Sequence, residues 1–356
     1  MGTASMASAG SSPSQFIDVH RLDLKKYAAR PALAKVLCDF VFYHDHNPRK
    51  ALELAAEASI VNRYKDWWWK ARLGKGYYQL GLLRDAERQF KSSLREQSMV
   101  GTFLELGKVY IRLDQPLLAL ETYDKAAEAH PGDVSVILAR ARVLEMLNEA
   151  QQAATAYKRA LQLEPSSVEA MASLASNHFY ADQPEIALRY YRRMLQMGCR
   201  SAELHNNIGL CCFHASQYDM ALSCFERALG MADDSNMPDV WYNIAQVATN
   251  IGDVKLAYQA LKVAAAVDGS HAESHNNLGV LELRRGNVEA ARVHFHTAQS
   301  LADHLHEPHY NAALLAYKLG EFETSFEQAS KSKAAFPAHS DTVDLLKQLD
   351  SHFATV

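Results

Sequence analysis

The feature that most limits what this chain can fold into is a repeat of about 34 residues. Units begin at Ala32, Trp67, Val100, Val134, Val168, Ala202, Pro238, Ala272 and His306, with a remnant at Ser340, at spacings of 33–36 residues. A unit of that size holds two short helices and cannot bury its own apolar face. Neighbouring units must therefore stack and share one continuous core.

Within each unit the eighth position is small (Gly74, Gly107, Ala141, Ala175, Gly209, Ala245, Gly279, Ala313), with Asp39 the exception. The twentieth is Ala51, Ala86, Ala119, Ala153, Ala187, Ala221, Ala257, Ala291 or Ser325. Two small residues twelve apart suit antiparallel helices whose backbones approach closely. Larger residues surround that contact, as in Phe103, Leu106, Tyr110 and Tyr123 of one unit and Trp241, Ile244, Ala248 and Leu261 of another. Their spacing makes one apolar stripe per helix. Proline is tolerated in a first helical turn or beyond a helix end. Pro48, Pro116 and Pro184 fall where second helices start, Pro131, Pro165 and Pro337 where they have ended, and Pro31, Pro238 and Pro308 at first-helix starts.

A large residue at four, Leu at seven, Gly or Ala at eight, an aromatic at eleven, Ala at twenty, an aromatic at twenty-four, Ala at twenty-seven and Pro at thirty-two together resemble the tetratricopeptide repeat. The resemblance implies an all-α, right-handed superhelix (an α-solenoid) of about nine helix pairs plus a capping helix. Residues 1–15, small and polar, read as a disordered tail and 16–31 as a lead-in segment. Residues 32–339 form the solenoid and 340–356 a capping helix and tail. The first unit fits least well, with Lys35 and Asp39 where a large and a small residue belong. The last departs at Ala329, where position twenty-four usually carries an aromatic.

Segments outside the repeat consensus, RPALAKVLCDFVFYHDH, KDWWWK, SNHFYADQPEIALRYYRRMLQMG, NNIGLCCFHASQYDMALSCFERAL and DVWYNI, are similar to tetratricopeptide members of the BBSome, a ciliary cargo-adaptor coat. That resemblance implies a non-catalytic scaffold in ciliary membrane-protein trafficking and ciliogenesis. It also implies a place in the cytoplasm, at the basal body or centrosome and in the cilium. The partners it implies are other coat subunits, including a small extended one, with an Arf-like GTPase and membrane cargo reached through the assembled coat. Family members carry more sequence before the repeats, so the chain reads as the repeat core. Two alternatives stand beside this one: an adaptor of another assembly (chaperone-tail or intraflagellar-transport-type), or the repeat region of a glycosyltransferase.

Charges of 37 Lys+Arg against 41 Asp+Glu leave a net −4, which provides no basic footprint for nucleic acid. No run of about 20 apolar residues predicts membrane insertion, and no signal-peptide pattern opens the chain. Five cysteines without a C-x-x-C pair argue against a secreted disulfide framework. Nucleotide-loop, nucleophile-elbow and zinc-protease signatures do not occur, and neither enzyme activity nor a cofactor is expected. Two soft-ligand groupings, His271 with His275 and Cys211, Cys212, His214 and Cys224 near His205, read as packing rather than metal sites. His294 and His296, two apart, face different sides of a helix.

Recognition chemistry concentrates on first helices. Position six is Asn207, Asn243, Asn277 and Asn311 in four consecutive units. Stacked, these amides form a ladder that can hold an extended peptide backbone, or they bond only to neighbouring helices. In earlier units Lys75, Lys108 and Arg142 occupy position nine, joined by Arg72 and Arg112. Five cations on one wall either attract an acidic segment or are merely solvated. Position five, Ala71, Leu104 and Leu138, lacks the placement of a chaperone-tail carboxylate clamp. Acidic residues at position two (Glu169, Glu203, Asp239, Glu273, Glu307) complement the helix dipole. Trp67, Trp68 and Trp69, consecutive on a helix, cannot all face one core; they are interface anchors or pack against the preceding unit around Tyr43.

Overall fold

The structure, a computed structural model, describes residues 23–355, so the proposed 1–15 tail lies outside the described residues. The described chain is helical and divides into two compact units, one ending at Leu174 and the other beginning at Ala175.

The first unit opens with a short helix α1 (Leu24–Ala28), whose Leu24, Tyr27 and Ala28 join the core beneath the first pair. That pair is α2 (Pro31–Asp39), which opens into a π-turn at Phe40–His44, and α3 (Pro48–Val61). Three further pairs follow: α4 (Trp67–Gln79) with α5 (Leu83–Glu96), α6 (Val100–Arg112) with α7 (Pro116–Ala129), and α8 (Val134–Met146) with α9 (Ala150–Leu163). The division between the units falls inside α10 (Val168–Tyr180).

Beyond it lie α11 (Pro184–Gln196) and four pairs: α12 (Ala202–His214) with α13 (Tyr218–Leu229), α14 (Met237–Ile251) with α15 (Val254–Val267), α16 (Ala272–Arg284) with α17 (Val288–Leu301), and α18 (His306–Leu319) with α19 (Phe322–Ala335). A last helix, α20 (Ser340–Thr355), covers the apolar end with Leu345, Leu346 and Leu349 packed beside Ala313 and Ala329.

The crossing inside each pair follows from side-chain size. Gly74, Gly107, Gly209 and Gly279 lie directly under the rings of Phe90, Tyr123, Phe225 and Phe295; a β-carbon on any of them would come under 3 Å from the ring. Position eight must therefore be small wherever position twenty-four is a ring stacked flat on the backbone. In the first repeat the trade is reversed: Asp39 stands at position eight and the buried Ala55 at twenty-four. Every residue at position twenty is buried, and Ser325, the one polar member, donates from Oγ to the Ala313 carbonyl at 2.9 Å. Where position twenty-seven is Ser, its hydroxyl reaches the first residue of the same unit: Ser93 to the Trp67 carbonyl (2.9 Å) and Ser332 to the His306 carbonyl (3.1 Å).

The turn within each pair has a requirement of its own. Position fifteen is left-handed throughout, at His46, Gly81, Asp114, Asn148, Asp182, Ser216, Gly252, Gly286 and Gly320. Glycine and short polar residues tolerate that conformation best, which explains the composition of the position.

Candidate functional site

On the first helices of the first unit, the five cations are tied down by the protein itself. Arg72 forms an ion pair with Asp39 (2.8 Å) and donates to Tyr43 Oη (3.1 Å), while its guanidinium lies over the rings of Trp68 and Tyr43. Lys75 donates to Tyr43 Oη at 2.7 Å. Glu105 lies 4.0 Å from Lys75 and 3.1 Å from Lys108. Arg142 takes Glu169 with both Nε and Nη2, and the hydrogen bonds to Glu169 raise its pKa further. Arg112 donates to the Tyr78 carbonyl (3.2 Å) over the Tyr78 ring.

This row alternates charge. Asp39, a misfit in the repeat pattern, is the counterion of Arg72, and Glu169 does more than complement a helix dipole. The bare field expected of five like charges is mostly neutralised, because three carboxylates are interleaved with them. Each pair is half-exposed and contributes little to stability by itself.

In the second unit the asparagines do join neighbouring helices. Asn243 donates to Asn206 Oδ1 (2.9 Å) and Asn311 to Asn276 Oδ1 (2.9 Å). Asn277 accepts from Asn276 (3.2 Å). Burial pushes the phenol of Tyr191 up to about 12. In both of the bonds between helices, position six of one repeat meets position five of the repeat before it. All four amides are half-buried, and each keeps hydrogen-bonding places that these contacts do not use.

The three tryptophans separate as the helical turn requires. Trp69 is buried in the core of the first pairs, while Trp67 and Trp68 are half-buried. Trp68 is roofed by Lys35 and Arg72, so the chain covers much of it. Trp67, Trp68, Arg72, Lys75 and Glu105 line one cavity of about 240 Å³.

Among the described residues no group of three or more His, Cys, Asp or Glu side chains could hold a metal. Burial pushes the Cys211 thiol up to about 12 and raises Cys212 and Cys224, so these sulfurs stay protonated and pack as apolar groups. His271 caps α16 through Nδ1, which accepts from the Ser274 N–H. His275 instead pairs with His294 at 3.3 Å, and burial together with that neighbour holds His294 below the usual histidine range.

Models of the tetratricopeptide repeat match residues 71–134, 104–168, 202–234 and 242–304. The chain is 49% identical over 355 residues to tetratricopeptide repeat protein 8 of Mus musculus, an alignment covering 99% of this chain and 68% of the mouse protein. The chain belongs to the tetratricopeptide repeat protein 8 family. Its identity to the Homo sapiens family member is 47% over 381 residues, covering 99% of the chain and 70% of that protein. Among solved structures, the APC/C hetero-tetramer Cut9-Hcn1 matches with a TM-score of 0.56 at 14% identity, over 93% of this chain and 65% of that one. At such identity the likeness concerns fold alone. No helix of the described residues is long and apolar enough to cross a membrane.

Proposed function

We propose that this chain is a non-catalytic scaffold subunit of the BBSome coat, working in ciliary membrane-protein trafficking and ciliogenesis. The observation that carries this reading is the 49% identity to tetratricopeptide repeat protein 8 of Mus musculus over 99% of the chain. On this reading the chain acts in the cytoplasm, at the basal body or centrosome and in the cilium. It meets an Arf-like GTPase and membrane cargo only through the assembled coat.

The two first-helix rows divide the recognition. The unused amide places of Asn207, Asn243, Asn277 and Asn311 hold the backbone of the small extended subunit. The row of Arg72, Lys75, Lys108, Arg112 and Arg142 takes an acidic segment that competes with Asp39, Glu105 and Glu169, and Trp67 and Trp68 anchor its edge. Affinity purification from ciliated cells with mass spectrometry tests the assignment. Coat subunits should dominate the recovered set, and replacing Lys75, Lys108 and Arg142 by Gln should lower their yield. Recovery of chaperones or intraflagellar-transport components in their place overturns it.

A further inference from the structure

A second kind of site lies away from both rows, where α11, α12 and α13 meet. A cavity of about 520 Å³ is lined by Leu195, Arg200, His205, Arg227, Gly230 and Met231. The cavities around Glu105, Glu121 and Glu321 mix cations with a carboxylate, whereas this lining holds two guanidiniums and an imidazole with none. Neither Arg200 nor Arg227 forms an ion pair or hydrogen bond with a described residue, in contrast to the engaged arginines of the first unit.

His205 stands at position four, which Phe103, Ile137, Met171 and Trp241 fill in other repeats and which is histidine again at His275 and His309. It is 8% exposed and has no hydrogen-bond partner among the described residues, yet it lines the cavity. Burial, then the cations Arg227 and Arg200, hold it below the usual histidine range. Two repeats earlier, Arg159 at position twenty-six donates to the Pro131 carbonyl at 3.3 Å. Arg227 holds the same position, but the corresponding residue before it is Cys199, and that bond is not made.

We propose that this cavity binds a phosphorylated serine or threonine side chain of a partner peptide. A phosphomonoester carries about −1.5 to −2 charge and three acceptor oxygens, which matches two guanidiniums and one imidazole N–H. A carboxylate has one charge and would leave one arginine uncompensated. Leu195 and Met231 supply apolar walls for the residue beside the phosphate, which a free ion would not use. The site goes beyond the scaffold reading and stands or falls independently of it.

The test is fluorescence anisotropy on the full chain with a fluorescein-labelled peptide library fixed at one central phosphothreonine, against its unphosphorylated twin. The phosphorylated library should bind at least about tenfold tighter, since charge-assisted bonds are the strong ones. Arg200→Gln and Arg227→Gln, both on exposed residues, should each weaken it about tenfold with unchanged melting. Arg159→Gln should leave it unaltered. Equal affinity for the two libraries overturns the proposal, as does indifference to Arg227→Gln. Displacement of the peptide by inorganic phosphate at that ion's own dissociation constant, with no preference for the peptide, would instead make this a free-phosphate site. Binding confined to phosphoinositide vesicles would make it a lipid site.

Discussion

The first-helix faces of the two units solve one problem with different chemistry. In the first unit adjacent helices are linked by charge, Arg72 to Asp39 and Arg142 to Glu169; in the second they are linked by neutral amides, Asn243 to Asn206 and Asn311 to Asn276. Ionic links are screened by salt and are cheaply exchanged for a partner's charges. Amide links resist salt, and a half-buried amide that loses its partner is left unsatisfied. The comparison teaches that a row of like side chains along a repeat can serve the fold and a ligand at once, and that counterions decide how much field remains outside.

The comparison breaks first if the shared frame is wrong. Gly107→Ala in the first unit and Gly209→Ala in the second should each destabilise by about 1–3 kcal/mol, because a methyl group is forced into the ring of Tyr123 or Phe225. Adding Phe225→Leu should restore much of the Gly209→Ala loss, giving the combination that Ala245 and Leu261 already represent at these two positions. Thermal melts of both glycine variants that match wild type would refute the register.

A smaller effect separates the two rows. Asn243→Ala with Asn311→Ala removes two inter-helix bonds and should cost about 1 kcal/mol per bond, with the same loss at low and at 1 M salt. Denaturant unfolding at both ionic strengths checks this, and a loss that fades with salt would contradict the neutral character of the row. Smallest of all, Arg142→Gln should cost about 0.2–1 kcal/mol at low salt and nearly nothing at 1 M, since its pair with Glu169 is half-exposed. A loss that persists at 1 M would assign Arg142 to packing through its stem rather than to charge.

Much of the fold was legible because glycine and alanine at positions eight and twenty recur with the period that close helix crossing imposes. Position fifteen was equally legible in principle: five of its nine residues are Gly or Asn, and the rest are Asp, Ser or His, yet its left-handed backbone becomes visible only when aligned across units. The candidate site was harder to read. Asp39 looked like an error in the pattern and Glu169 like a helix-end charge, because their partners lie 33 and 27 residues away. Arg227 carries no local signal beyond a histidine at a packing position nearby and a broken arginine-to-carbonyl pattern.

By itself the sequence determined the repeat length, the helix pairing and which faces are apolar. These follow from local propensity and from side-chain volume, which each residue carries wherever it stands. Only the tertiary structure decided which charges are spent inside the molecule and which remain available, because a hydrogen bond or an ion pair depends on a partner's position to within about an ångström. Arg72 and Arg227 are the same residue type on similar helices; stacking gave one a carboxylate and left the other beside a buried histidine.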